Sequence, residues 1–278
     1  MVNQMYTNPK INHDTVFTKS SQRRILHALR LSCKTLGLKK KHSIGSLVFG
    51  TAIAIASLGF GSTAIAQVAG GNPPGPNSVS VGPNASAPGA QATAVGVSSQ
   101  ANGDNSSALG NNAQATGGNS TALGLSAVAS GDNSNATGLN AVASGDNANA
   151  SGLGAVASGL NSTSVGVNSE ASGNSSSAFG SNTEASGLAS TALGANATAS
   201  ADNAVSIGVN SEATALNATG IGVSAGATGI RSTSVGVNSD ATAQDASAFG
   251  NNAQANGLRS VALGVNTCLL YTSDAADE

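Results

Sequence analysis

A glycine that returns every fourteen residues is the feature that most constrains the fold of this chain. We call it position 0 of a repeat and count the other positions from it. No insertion or deletion interrupts the series, and an alanine stands at position +5 of its first thirteen members, from Ala87 to Ala255. So strict a period indicates a protein built from stacked units that pack on their neighbours. The position 0 glycines are Gly82, Gly96, Gly110, Gly124, Gly138, Gly152, Gly166, Gly180, Gly194, Gly208, Gly222, Gly236, Gly250 and Gly264.

The residues before each glycine predict a short β-strand. Position −1 is apolar in every repeat except at Thr137 and Ser151, position −2 is always small, and position −3 is usually Val, Thr or Ser. Alternation with β-branched residues favours a strand, in which positions −3 and −1 share one face and position −2 points to the other. Because Thr137 and Ser151 lack the apolar residue, we expect their coils to be the softest.

The residues after each glycine predict a second strand and two corners. Position +2 is commonly Asn, position +3 is small, and the alanine at position +5 indicates a narrow inward face. Another Gly often follows at position +7, and Gly and Asn suit corners because they tolerate positive φ. The predicted fold is all-β, a parallel solenoid of fourteen-residue coils whose layers lie about 4.8 Å apart. A disordered Gly/Ser-rich segment is the alternative, and the regular apolar positions argue against it.

Parallel stacking places identical side chains above one another, which makes two surface ladders possible. Position +9 is Asn in five successive coils, from Asn105 to Asn161, and these residues form either an amide ladder or a row of unconnected turn residues. The same position later carries Arg231, Asp245 and Arg259, which we interpret as an ion-pair ladder, with a ligand contact as the alternative.

Acidic residues at position +4 raise the question of a cation. Glu170 and Glu184 fall in adjacent coils, and Glu212 and Asp240 follow at the same position. A bound cation or simple solvent screening would relieve the repulsion. No dense Asp-rich loop is present, so we assign no metal site.

The first 66 residues have a different character from the repeats. They hold nine of the eleven Lys and Arg residues. Within them, a basic segment is followed by an apolar run from Ile44 to Phe60 and then by the small-x-small sequence that ends at Ala66. This order predicts an extended signal peptide over residues 1–66, cleaved between Ala66 and Gln67. A membrane-spanning helix is the alternative, but the run is short and is interrupted by Gly and Ser.

Composition excludes most catalytic chemistry from the repeats. Residues 67–267 contain no Cys, His, Lys or Trp, which removes Ser–His–Asp and Cys–His nucleophile systems and His/Cys zinc sites. Net negative charge and the scarcity of aromatic residues disfavour nucleic-acid binding. We therefore predict a protein that is not an enzyme, with no catalytic residue, cofactor or metal. The small positions and the later apolar residues at position +8, such as Leu160 and Leu188, suggest a homo-oligomer in which backbones approach closely.

The motifs resemble a known family. Residues 77–82, 161–166 and 203–208 read NSVSVG, NSTSVG and NAVSIG, and SALG or TALG occurs at 107–110, 121–124 and 191–194. These segments are similar to the head repeats of trimeric autotransporter adhesins, the family of the YadA head. The resemblance implies a left-handed parallel β-roll, a homotrimer, and display at the cell surface of a Gram-negative bacterium, with the full-length protein anchored in the outer membrane. It also implies a virulence-related adhesin that binds extracellular matrix proteins, host cells or other bacteria.

The resemblance and the repeat together divide the chain. We expect a Gly/Pro-rich linker over residues 67–76, head repeats over 77–267, and a non-native tail over 268–278 that resembles translated adapter sequence. The stalk and membrane anchor of the family have no counterpart here, so we expect a truncated fragment. A structural spacer and an ice-binding solenoid are the alternative functions. Ice binding is disfavoured because Thr alternates with Val, Ser and Asn at position −3.

Overall fold

The computed structural model describes residues 66–68, for which only the backbone is considered, and residues 75–269. Most of the predicted signal peptide and part of the predicted linker lie outside these residues. The described part is an all-β parallel solenoid without helices, as the repeat predicts. Within it, no helix is long and apolar enough to cross a membrane.

Two parallel sheets run the length of the repeat region, and each coil adds one strand to each sheet. From Val79 onward, neighbouring strands are fourteen residues apart, so identical positions pair: Val95 lies beside Leu109, and Ala101 beside Ala115. The first sheet contains Ala66–Val68, Val79–Val81, Thr93–Val95, Ser107–Leu109, Thr121–Leu123, Asn135–Thr137, Asn149–Ser151, Thr163–Val165, Ser177–Phe179, Thr191–Leu193, Val205–Ile207, Thr219–Ile221, Thr233–Val235, Ser247–Phe249 and Val261–Leu263. The second contains Gln100–Ala101, Gln114–Ala115, Val128–Ala129, Val142–Ala143, Val156–Ala157, Glu170–Ala171, Glu184–Ala185, Thr198–Ala199, Glu212–Ala213, Gly226–Ala227, Asp240–Ala241, Gln254–Ala255 and Cys268–Leu269.

A tight turn connects the strands at each corner. The first turn runs from position 0 to +3 and the second from +7 to +10; the amide of Ala85 donates to the Gly82 carbonyl at 3.1 Å, and that of Ser106 to Gly103 at 3.3 Å. The third residue of every such turn has positive φ, 56° at Asn105 for example. Positive φ at this place is what a type II turn requires, and it explains why Asn is so frequent at positions +2 and +9.

The corner glycines allow the layers to approach closely. Gly82 has φ of 125°, and a Cβ built on it would lie 2.6 Å from the carbonyl oxygen of Gly96 in the next layer. A side chain at this position would therefore clash with backbone and strain its own dihedral angle.

The interior of the coil contains only small side chains. Four positions point inward: −2, +3, +5 and +10, occupied in one coil by Ala136, Ala141, Ala143 and Ala148. Their counterparts in other coils are Ala or Ser, with few exceptions, and the largest fully buried side chain is Thr183. The space between the two sheets thus accommodates an inward-facing side chain of about one methyl group from each strand.

This interior corrects two expectations from the sequence. The small residues fill the coil itself, so they do not serve the close approach of separate chains. The apolar residue at position −1 lies outside, so its absence at Thr137 and Ser151 leaves no gap: Ala136 and Ala150 fill those layers completely. The physical reason for expecting soft coils there is removed.

Both ends of the repeat region add a strand. Ala66–Val68 pairs in parallel with Val79–Val81, so the predicted cleavage site at Ala66 and Gln67 falls in the first strand. At the other end, Cys268–Leu269 pairs with Gln254–Ala255, two residues beyond the expected end of the repeat at Thr267. Leu269 is half-buried against the alanine core, although alanine is the residue at this position in the preceding coils.

Candidate interaction surfaces

The large apolar side chains lie on the outer face of the first sheet. Positions −1 and +1 flank the corner glycine, and both project outward: Leu123 is 46% exposed and Leu125 is 50% exposed. We call the residues at these two positions the outer ridge. Its most exposed members are Val95, Val97, Leu109, Leu123, Leu125, Leu139, Leu153, Val167, Phe179, Leu193, Val209, Ile221, Val223, Val237, Phe249, Leu263 and Val265.

The outer ridge is continuous because the strands pair in register. Phe179 lies beside Leu193 and Leu193 beside Ile207, with one layer spacing between them. Only Thr137 and Ser151 interrupt position −1, and there the neighbouring position +1 carries Leu139 and Leu153. The ridge is therefore an apolar strip along the repeat region, whereas a typical monomer exposes no patch larger than about 300–600 Å².

Position +8, at the second corner, is acidic or small in most of the early coils and mainly apolar in the later ones. Leu160, Leu188 and Leu216 are about half exposed. Where Asp stands at this position, its side chain accepts a hydrogen bond from the backbone of the preceding layer: Asp104 from the Ala90 amide at 2.8 Å, and Asp202 from the Leu188 amide at 3.0 Å. The sequence did not indicate this role, because it becomes visible only when the layers are stacked.

The outer face of the second sheet is polar and changes along the chain. Position +4 carries half-buried Val128, Val142 and Val156 in the early coils. Exposed glutamates follow, and Glu170 lies directly beside Glu184 in the next layer. This face is therefore neutral towards the amino end and acidic towards the carboxyl end.

A shallow groove of about 440 Å³ interrupts the acidic part of this face. It forms at Gly226, whose missing side chain leaves a gap between Glu212 and Asp240, and Thr228 and Gln254 also line it. Burial, and secondarily the charge of Glu212, raises the pKa of Asp240 above its usual value. The groove thus combines a recess with a carboxylate that is costly to ionise.

Of the two interpretations of the Asn residues at position +9, the structure shows the amide ladder from Asn119 onward. Asn119, Asn133, Asn147 and Asn161 are joined by side-chain hydrogen bonds of 3.2, 3.2 and 3.0 Å. A second ladder, which the sequence did not indicate, runs along position +2 and includes a 3.0 Å bond from Asn196 to Asn210. Both ladders lie at corners, where they link successive turns.

Of the ion-pair ladder predicted at position +9, the pair between Arg231 and Asp245 is confirmed. Arg231 donates to Asp245 through Nε at 2.6 Å and through Nη2 at 2.8 Å. The hydrogen bond from Arg231 is the main reason that the pKa of Asp245 is lowered, and the charge of Arg259 in the next layer adds to the effect. The arrangement is an exposed surface pair and contributes little to stability.

The predicted repeat glycines lie in one line along the corner beside the outer ridge, where the absence of a side chain lets the layers approach to the spacing of paired strands. In the described residues, no group of three or more His, Cys, Asp or Glu side chains is arranged to hold a metal ion.

Comparison with known proteins agrees with this architecture. A search among curated proteins gave no match. The family model described as the YadA head domain repeat matches residues 74–96, 87–113, 115–134, 136–161, 157–183, 185–211, 213–239 and 241–267. These matches cover most of the repeat region, and the solenoid and the family are typical of structural adhesins rather than enzymes. With its coils, corners and matched repeats taken together, the chain belongs to the YadA head family.

Proposed function

We propose that this chain is the head of a bacterial surface adhesin that attaches to extracellular matrix, host cells or other bacteria. The observation that carries the proposal is the match to YadA head repeats across the solenoid. A broad polar face repeated at every layer suits adhesion, because many weak contacts along a surface add up to firm attachment.

The head acts as a homotrimer and not as an enzyme. The outer ridge supports trimerisation, since exposed apolar surface of this extent marks an interaction site. Three copies packed through their ridges would leave the second sheet of each copy facing outward. Adhesive contacts then lie on the second sheet and its corners, where Glu170, Glu184 and Glu212 are exposed.

Export and surface display complete the proposal. The basic and apolar segments of residues 1–66 support a signal peptide cleaved after Ala66. In the full-length protein, an outer-membrane anchor holds the head at the cell surface, where it contributes to virulence. No Cys lies between Gln67 and Thr267, so this head needs no disulfide outside the cytoplasm.

The test is a binding assay with residues 67–267 fused to a trimerising stalk. We expect attachment to at least one of three surfaces: immobilised matrix proteins, cultured cells, or a second bacterial population. The stalk alone is the control. If the fusion binds none of the surfaces tested, adhesion is contradicted and the structural spacer is supported. Clear activity in a separate thermal-hysteresis assay would support ice binding.

A further inference from the structure

The sizes of the two residues that flank each corner glycine compensate one another. In four coils a large residue at position −1 is followed by a small or polar one at position +1, and in two coils a small or polar residue at −1 is followed by Leu. In the first group are Leu109 with Asn111, Phe179 with Ser181, Leu193 with Ala195, and Phe249 with Asn251; in the second are Thr137 with Leu139 and Ser151 with Leu153.

The remaining coils hold pairs of intermediate size. Val or Ile at position −1 goes with Val at +1 in five coils: Val95 with Val97, Val165 with Val167, Ile207 with Val209, Ile221 with Val223, and Val235 with Val237. Leu123 with Leu125 is a larger pair that departs from this compensation, and the first and last coils hold Val81 with Pro83 and Leu263 with Val265. In most coils, the combined size of the two side chains thus varies less than the size at either position alone, which ranges from Ser to Phe at position −1 and from Ala or Ser to Leu at position +1.

A solvated surface gives no reason for this compensation. Side chains at both positions are partly or largely exposed in the single chain, where a longer one can extend into water without cost. Sensitivity to size arises where side chains are close-packed on all sides. The interior of the coil cannot be the cause, because positions −1 and +1 face away from it.

We propose that the outer ridge is a size-matched interface in which each coil packs against the same coil of the other copies. This inference rests on the proposed homotrimer and specifies how its copies meet. In a cyclic assembly whose symmetry axis runs along the solenoid, rotation carries no axial shift, so equivalent coils lie at one level. Each level then contains the same pair of side chains from every copy, and a constant pair size keeps the copies equally far apart at all levels.

The area of the ridge is of the order needed for such an assembly. Its exposed Val, Leu, Ile and Phe side chains present on the order of 1,000 Å² of apolar surface. Shared between two neighbouring copies, this is about 500 Å² for each, compared with about 800 Å² per partner in a standard stable interface, and the polar residues of the ridge add to it. Charge does not oppose the contact, since no ionisable residue occupies position −1 or +1 in any coil from Gly82 to Gly264. A second and third copy of this chain are the partners that this surface fits.

The test is a double-mutant cycle on one level of the ridge. Phe179→Ser leaves a gap and Ser181→Leu adds bulk beside Phe179, whereas the double variant reproduces the natural pair of Ser151 with Leu153. Sedimentation velocity of the full chain over a range of concentrations measures assembly. We expect each single substitution to weaken assembly by about tenfold or more, and the double variant to return to within a few-fold of the wild type.

A matched cycle on the second sheet is the control. Val142→Ser and Ser144→Leu make similar size changes on both sides of Ala143, away from the ridge, and should leave assembly unchanged. Circular dichroism checks folding, and Phe249→Ser with Asn251→Leu repeats the cycle if a first variant is unfolded. If the wild-type chain assembles but the effects of the two substitutions on assembly are additive, size matching is wrong and the homotrimer stands. If the wild-type chain stays monomeric, both size matching and the homotrimer are wrong.

Discussion

The interior of the coil and its outer ridge reverse the usual distribution of apolar side chains in a globular protein, in which the large ones are buried. Inside, Ala143 and its equivalents are fully buried, and no fully buried side chain of the described coils is larger than Thr183. Outside, most of the Leu, Ile, Val and Phe side chains of the ridge are more than a third exposed. The difference teaches that strand separation, and not hydrophobicity alone, decides which residues enter this core.

The same comparison supports the proposal that a single chain is an incomplete unit. Burying an alanine removes little apolar area, so each coil gains only modestly from its interior. The larger gain is available on the ridge, but only when another surface covers it. Stacking therefore shapes the coil, and in the proposed homotrimer contact between copies supplies much of the remaining hydrophobic stabilisation.

The largest expected effect comes from making the interior resemble the ridge. Ala143→Leu forces a long side chain between the two sheets and should destabilise the fold by about 3 kcal/mol or more. Chemical denaturation measures the change. Val142→Leu, at the adjacent outward-facing residue, is the control and should have little effect; equal losses in both variants would show that the interior is not size-limited.

A charge on the ridge should separate the copies without unfolding the coil. Leu193→Asp places a carboxylate in the proposed interface, and we expect assembly to weaken by about thirtyfold or more while the circular dichroism spectrum is retained. Thr198→Asp, on the second sheet, should assemble normally. An unchanged mass for the Leu193→Asp variant would argue against this face as the interface.

Serine at position +10 offers a finer test of the interior. The hydroxyl of Ser134 is buried without a hydrogen-bond partner, whereas that of Ser120 donates to the Gly117 carbonyl at 2.6 Å. Ser134→Ala should stabilise the coil by up to about 1 kcal/mol, since Ala148 already occupies this position in the next coil. Ser120→Ala loses a bond and should be neutral or destabilising. Thermal unfolding of both variants decides the order.

The smallest effect concerns pH on the polar second sheet. The pKa of Asp240 is raised in the folded state, so the native chain binds its proton more tightly than the unfolded chain. The contribution of Asp240 to folding stability therefore falls as the pH rises through its native pKa. At neutral pH the ionised, partly buried carboxylate destabilises the folded chain. Asp240→Asn should raise stability at pH 7 by up to about 0.5 kcal/mol and have no benefit in acid. A loss of stability at pH 7 would contradict this.

The sequence predicted most of the architecture but not which side of each strand faces the core. A glycine at every fourteenth residue implied the parallel register, and alternation around Val95 and Leu109 located the first strands correctly. Which side chains of a strand face the core could not be deduced from composition, because large apolar residues normally face inward. Here the two sheets lie too close together for larger side chains, so Ala94 and Ala108 face inward instead. The distance between the sheets is set by the two corner turns that close each coil. Hydrogen bonds between layers, such as that of Asp202, also required the stacked structure.

Cross-linking between copies tests most directly whether the ridge is an interface. In a background with Cys33→Ser and Cys268→Ser, Leu193→Cys places one thiol on the ridge, and Glu184→Cys places one on the second sheet of the preceding coil. Treated with a short bifunctional thiol reagent, the ridge variant should rapidly form covalently linked pairs of copies, with a mass twice that of the 26.5 kDa chain. The second-sheet variant should remain a single chain under the same conditions. Equal cross-linking of the two variants, or linking only through Glu184→Cys, would contradict the assignment of the ridge as the surface where copies meet.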